Sequence, residues 1–160
     1  MEKKYRLLED DTITVSGRTL YRIEALRDFA DVLKGDKGGY VECEDNLSQK
    51  GDCWVYDDAW VYDGARVYGN AWVYGNAWVY GNAWVYDGAW VYGNARVYGD
   101  AQVYGKAWIY DEARIYGEAQ VYGEARVYDE AWIYGEAQVC GNTRIHEGFT
   151  QAEMFSLKEI

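Results

Sequence analysis

From Trp54 onward the chain is written in six-residue words. WVYDDA, WVYDGA, RVYGNA, WVYGNA, WVYGNA, WVYDGA, WVYGNA, RVYGDA, QVYGKA, WIYDEA, RIYGEA, QVYGEA, RVYDEA, WIYGEA, QVCGNT and RIHEGF follow without a gap over residues 54–149. The second letter is always Val or Ile, and the sixth is Ala until Thr143 and Phe149. Letters four and five come from Gly, Asn, Asp, Glu and Lys, which supply turn chemistry.

A period of six excludes a long α-helix. Six residues advance ~600°, so an apolar spot would drift around the cylinder. A short strand followed by a two-residue corner fits instead. In that strand Ala and Val share one side, while the first-letter residue and Tyr share the other. Trp exchanges freely with Arg and Gln at the first letter, and those residues are seldom buried unpaired. Val and Ala therefore face inward, and Trp and Tyr face outward.

The frame Val73-Tyr74-Gly75-Asn76-Ala77-Trp78 resembles the hexapeptide-repeat, left-handed parallel β-helix, with Tyr in place of the usual small residue. The resemblance implies an all-β fold, a triangular prism with three hexads per coil. Sixteen hexads then give about five coils. A second resemblance lies upstream, in Gly38-Gly39-Tyr40-Val41, Asn46-Leu47-Ser48-Gln49 and Gly51-Asp52-Cys53-Trp54-Val55-Tyr56. These words are similar to the lead-in segment of the YdcK-like bacterial proteins, β-helix proteins also met in phage genomes and labelled acyltransferases.

With three hexads per coil, residues 18 apart stack. One face carries Trp54, Trp72, Trp90, Trp108, Arg126 and Arg144, beside Tyr56, Tyr74, Tyr92, Tyr110, Tyr128 and His146. The second carries Trp60, Trp78, Arg96, Arg114 and Trp132, and the third Arg66, Trp84, Gln102, Gln120 and Gln138. Ring stacking alone could account for these rows at ~0.5–1.5 kcal/mol per pair. A contiguous aromatic face is also the signature of an interface. The face with Trp54, Trp72, Trp90 and Trp108 is thus the candidate surface for a protein partner or homo-oligomer. The corners turn acidic in the later hexads, through Glu112, Glu118, Glu124, Glu130 and Glu136. Residues 54–149 hold thirteen acids and six bases.

The segments outside the repeat read as caps, which a stack with open edges requires. Residues 1–53 form an N-terminal α+β cap. It holds a hairpin of Thr12–Val15 and Thr19–Ile23 around Ser16-Gly17, and a short helix over Leu26–Leu33 ended by Gly35. Residues 150–160 form a C-terminal cap, with a helix beginning at Thr150 and Met154, Phe155 and Leu157 covering the last coil.

A chain of 160 residues with 17 Tyr and 8 Trp has ample material for one ordered core. A net charge of −11 argues against direct nucleic-acid binding, which needs Lys/Arg stripes. It leaves open a basic protein or a nucleic-acid-binding enzyme as partner. Cys43, Cys53 and Cys140 show no metal-ligand spacing, and their odd number without a signal peptide suits the cytoplasm. No run reaches the ~20 apolar residues of a membrane helix, and neither a metal nor a cofactor is expected.

Three function classes follow. The first is a non-catalytic binding or scaffold protein acting through its aromatic faces. The second is an acidic imitator of nucleic acid that inhibits a DNA- or RNA-binding enzyme, such as a host-defence enzyme. The third is implied by the resemblance: acyl transfer from coenzyme A, with a His as general base. The sole His is His146, which makes it the weak catalytic candidate.

Overall fold

A computed structural model describes residues 2–150. They form three sheets of nine, six and five strands around a common interior, in a parallel β-solenoid of about six coils. Each hexad contributes a two-residue strand, such as Trp72–Val73, and a corner. Successive coils pair in parallel at a separation of 18, as in Trp72↔Trp90↔Trp108.

The inward assignment holds throughout. Val73, Val91, Ile109 and Val127 are fully buried, as are Ala71, Ala89, Ala107 and Ala125. The narrow core is thus built from one small and one β-branched residue per hexad. Backbone bonds run between coils, with Trp72 N–H donating to Ala89 O at 3.0 Å, Tyr74 to Val91 at 3.0 Å and Asn76 to Gly93 at 2.8 Å. The sixth residue closes each corner, as Ala77 N–H donates to Tyr74 O at 3.4 Å.

Every corner from Asp57 to Gly141 places its fourth letter in the left-handed region, with φ between 55° and 69°. That requirement explains why Gly and Asp alone occupy it: Gly has no Cβ to clash, and Asp tolerates the conformation better than most residues. Asp adds a bond that Gly cannot make. Asp57, Asp63, Asp87 and Asp111 each accept the N–H of the residue 18 further on, at 3.0–3.1 Å.

The solenoid begins earlier than the hexads do. Strand β3 (Lys37–Val41) pairs in parallel with Trp60–Val61, and Leu47 bridges Val67. This lap supplies the sixth coil, one more than the hexad count implies. Its separation is 20, in Tyr40↔Trp60 and Leu47↔Val67, because two extra residues sit in the corner before Trp54. At the far end the separation shrinks to 17, in Trp132↔Phe149. Phe149 therefore takes a first-letter place rather than the sixth-letter place its alignment suggests, and Gly148 O accepts from Trp132 N–H where an Ala carbonyl would.

The N-terminal cap is a β structure. Strands β1 (Tyr5–Val15) and β2 (Arg18–Ala25) form the expected hairpin, with β1 starting seven residues earlier and β2 longer at both ends, around Ser16 and Gly17, both at positive φ. Strand β2 pairs antiparallel with β3, so the hairpin extends one sheet of the solenoid. The helix expected over Leu26–Leu33 is absent. Phe29 and Val32 exchange two backbone bonds, at 2.9 and 2.7 Å, across a tight turn with Ala30 at positive φ. A turn returns two apolar residues three apart to one side as well as a helix would. Both are buried, while Leu33 is exposed.

The cap closes the first coil with a buried cation. Lys4 is fully buried, and its Nζ donates to the carbonyls of Cys53 at 2.7 Å, Gly51 at 3.2 Å and Lys50 at 3.4 Å. These groups have no lower coil to bond. Burial holds the Lys4 pKa below the usual lysine value. The short helical element Glu44–Asn46 is stitched to the next coil by the Asn46 side chain, which donates to Ala65 O at 2.8 Å. Of the C-terminal cap expected over residues 150–160, Thr150 ends a two-residue strand with Phe149 of the last hexad, and the helix expected through Met154, Phe155 and Leu157 lies outside the described residues.

Candidate functional site

Stacking in register converts the outward letters into columns. On face one, Trp72–Trp90 and Trp90–Trp108 stack with centroids 5.4 and 4.9 Å apart and planes within 5°. Arg126 closes the column, its guanidinium 3.9 Å from the Trp108 ring centre. Trp54 does not join this surface. It is 1% exposed, held edge-on by Tyr5 and Phe29 of the cap. The predicted four-Trp face is therefore a three-Trp face, and Trp54 belongs to the core.

The neighbouring column runs Tyr74, Tyr92, Tyr110, Tyr128, with centroids 4.6–5.1 Å apart. Tyr56 stands at its start but turned across Tyr74 at 81°, its hydroxyl donating to Asp31 at 2.8 Å. The column ends on His146, stacked 5.5 Å from Tyr128. From Trp72 to Trp108 and from Tyr74 to Tyr128 the rings lie face to face along the rod, and the Trp72 indole N–H donates to Asp52 O at 3.3 Å. Partial burial raises several of the phenols, with Tyr62, Tyr74 and Tyr86 pushed up to about 12. On face three, Tyr86 and Tyr104 donate to Gln102 and Gln120 at 3.2 and 3.0 Å.

Face two carries a groove of about 960 Å³ running along the coils. One side is the column Trp60, Trp78, Arg96, Arg114, Trp132; the other is the corner column Asp58, Asn76, Asn94, Glu112, Glu130. Trp60 and Trp78 stack at 4.5 Å. Arg96 sits 4.1 Å over Trp78 and Arg114 5.6 Å from Trp132. Neither guanidinium forms an ion pair among the described residues. The sequence held a signal for this feature: Arg falls 18 residues after or before Trp on that face, and a guanidinium packs well on an indole.

The five predicted glutamates are all exposed but do not share one edge. Glu112 and Glu130 lie on the corner leading into face two, Glu118 and Glu136 on the next corner, and Glu124 on the third, as the 18-residue register requires. The strongest acidic cluster instead joins Glu112 and Glu130 to Asp111, Asp129 and Glu147, around a hollow that also holds His146. Doubly acidic corners such as Asp111-Glu112 were the available sign.

His146 is exposed, with Nδ1 3.7 Å from Asp129 Oδ2. Cys140 occupies a Tyr place and is buried, in hydrogen-bond contact with the Tyr122 hydroxyl, a bond that heads the causes pushing that phenol up to about 12. The three cysteines are unpaired thiols. Among the described residues no cluster of His, Cys, Asp and Glu has the arrangement to hold a metal, and no helix is long and apolar enough to cross a membrane.

Comparison with known proteins places the repeat. The family described as YdcK β-solenoid repeat matches residues 65–81, 77–93, 89–105 and 119–135. The protein named "Uncharacterized acetyltransferase YdcK" from Escherichia coli (strain K12) is 39% identical over 62 residues. That match covers 34% of this chain and 19% of the relative, so it spans about a fifth of that protein's length. With coils paired at 18, the chain is a parallel β-solenoid whose repeats within residues 65–105 and 119–135 are similar to the YdcK β-solenoid repeat.

Proposed function

We propose that this protein is a non-catalytic binding scaffold whose faces engage a protein partner. The observation that carries this reading is the edge-on presentation of the ring columns. From Trp72 to Trp108 and from Tyr74 to Tyr128 the rings are half-buried and stacked. Their faces are occupied by one another, which disfavours a sugar or nucleobase stacking on them. Their edges form a rigid, partly apolar strip, in which the Trp72 indole N–H is held by Asp52 O at 3.3 Å, suited to a flat macromolecular surface. The test is capture of a partner by the full chain, identified once and then compared across variants. Trp72→Ala/Trp90→Ala should lose it while Trp84→Ala, on face three, keeps it. Equal capture by both variants would remove face one as the binding surface.

A second reading, acyl transfer, is favoured by the His146–Asp129 pair and by the relative's printed name. A carboxylate beside an imidazole can orient it as a general base. The surroundings oppose this use, because Asp111, Glu112, Asp129, Glu130 and Glu147 would repel the phosphates of coenzyme A. Calorimetry with acetyl-coenzyme A separates the two, heat that disappears in His146→Ala supporting transfer. The acidic corners also bear on imitation of nucleic acid. Carboxylates in one column recur at about 4.8 Å, sparser than the phosphates of one duplex strand at ~3.4 Å along the axis, and Asn, Gly and Lys106 interrupt the columns. Salt-sensitive inhibition of a DNA-binding enzyme, lost in Glu118→Lys/Glu136→Lys, would restore that reading.

A further inference from the structure

We infer that face two is a self-complementary surface whose partner is a second copy of this chain, docked groove to groove about a two-fold axis parallel to the rod. The inference rests on the binding-scaffold reading and names one partner for it.

Two columns line the groove at the same pitch. The strand column contains Trp and Arg at all five levels, so every member offers a donor and none an acceptor. The corner column contains Asp, Asn, Asn, Glu and Glu, so every member offers an acceptor oxygen. Members of one level are two residues apart in the chain, as in Glu112 and Arg114. A two-fold axis lying between the columns lays each column on the other column of the partner, level on level. Glu112 then meets Arg114 of the second copy and Arg114 meets its Glu112. Arg96 meets Asn94, Glu130 meets the Trp132 side chain, and at the first level Asp58, whose Oδ1 is held by Arg22 of its own chain at 3.4 Å, offers its second carboxylate oxygen to Trp60. Such reciprocity is what an isologous interface demands.

Charge decides against other ligands for this groove. A polyanion would be repelled by Asp58, Glu112, Glu130 and Glu147, and a polycation by Arg96 and Arg114, all of which line it. A surface bearing both stripes fits, and the second copy carries both by construction. The same docking fails on face one. There the corner before Trp108 is Lys106 and the corner before Trp90 is Gly88, which sets donor against donor at one level and leaves no side-chain acceptor at another. Arg96 and Arg114 are adjacent in register, and like charges so placed destabilise a sheet; a partner's acceptors relieve that repulsion.

Five levels at about 4.8 Å make a strip ~24 Å long. Two columns wide, it buries on the order of 300–400 Å² per copy, in the weak and concentration-dependent class of interfaces. Salt should loosen it further, since its charge pairs lie near solvent.

Sedimentation of the full chain over a wide concentration range, in low and high salt, tests the inference. The wild type should pass from monomer to dimer as concentration rises, and high salt should move the transition upward by about tenfold or more. Arg114→Glu and Glu112→Arg should each stay monomeric, with unchanged circular dichroism because both positions are on the surface. An equimolar mixture of the two variants should dimerise, since every 112–114 contact is then complementary. A wild type that stays monomeric at all concentrations overturns the inference, and so does a dimer indifferent to both substitutions. Partner capture lost through Trp72 and Trp90 is read independently, so either result leaves the face-one test standing.

Discussion

The left-handed corners make a prediction that separates two substitutions at one glycine. Gly105 has φ 67° and its N–H is already held by Asp87 at 3.1 Å. A Cβ added there would stand 2.8 Å from the Gly123 nitrogen of the next coil. Gly105→Ala therefore incurs the left-handed penalty of about 1–2 kcal/mol, together with a small displacement between coils. Gly105→Asp introduces the same Cβ but reproduces a corner the chain already uses. In the consecutive pair Asp111 and Asp129, the first carboxylate accepts the second residue's N–H at 3.1 Å. The carboxylate introduced by Gly105→Asp would likewise accept the Gly123 N–H, a bond of about 1 kcal/mol, with Lys106 alongside. The Asp variant should fall within ~0.5 kcal/mol of wild type and the Ala variant about 1.5–2 kcal/mol below it. Urea unfolding followed by circular dichroism and tryptophan fluorescence measures both, provided the slope is unchanged. An Ala variant as stable as the Asp variant would refute the corner mechanism.

Trp54→Ala should destabilise by about 3–5 kcal/mol, as deletion of a buried aromatic does, whereas Trp84→Ala, 38% exposed, should cost under ~1 kcal/mol; thermal melts that rank them the other way contradict the assignment of Trp54 to the core. Tyr62, Tyr74 and Tyr86 have folded pKa values raised to about 12, above the unfolded value of about 10. Their contribution is complete below pH ~10 and is lost as pH rises towards 12, because the unfolded chain releases those protons first. Denaturant midpoints should therefore hold steady up to pH ~10 and fall above it, and phenol absorbance of the folded protein titrating wholly near pH ~10 would contradict the burial of these rings.

The inside and outside of the solenoid were legible in the sequence because each hexad repeats one physical statement. Val and Ala never give way to a polar residue before Thr143, while Trp gives way to Arg and Gln. The 18-residue register came from the resemblance to the hexapeptide-repeat β-helix, which implies three such words per coil, and with it the membership of the columns between the two ends. What resisted reading was aperiodic. The turn at Phe29–Val32 has the apolar spacing of a helix, and only the paired backbone bonds and the contact of Phe29 with Trp54 show that a tight turn serves as well. Trp54 is spelled like the exposed Trp72, yet the cap that buries it lies some 25–50 residues upstream, at Phe29 and Tyr5. The laps of 20 and 17 residues at the ends carry no local mark, since both occur where the word itself dissolves. The acidic corners were visible singly but were distributed over three edges by the register, which left the Asp111–Glu147 cluster as the dense one.

The columns, the groove and the proposed pairing all depend on the register between coils. Nuclear Overhauser contacts between methyl groups of a selectively labelled chain test it directly. Val91 should show contacts to Val73 and Ile109, each 18 residues away. Contacts from Val91 to residues 12 or 24 away in their place would mean two or four hexads per coil, and would dissolve every column described above.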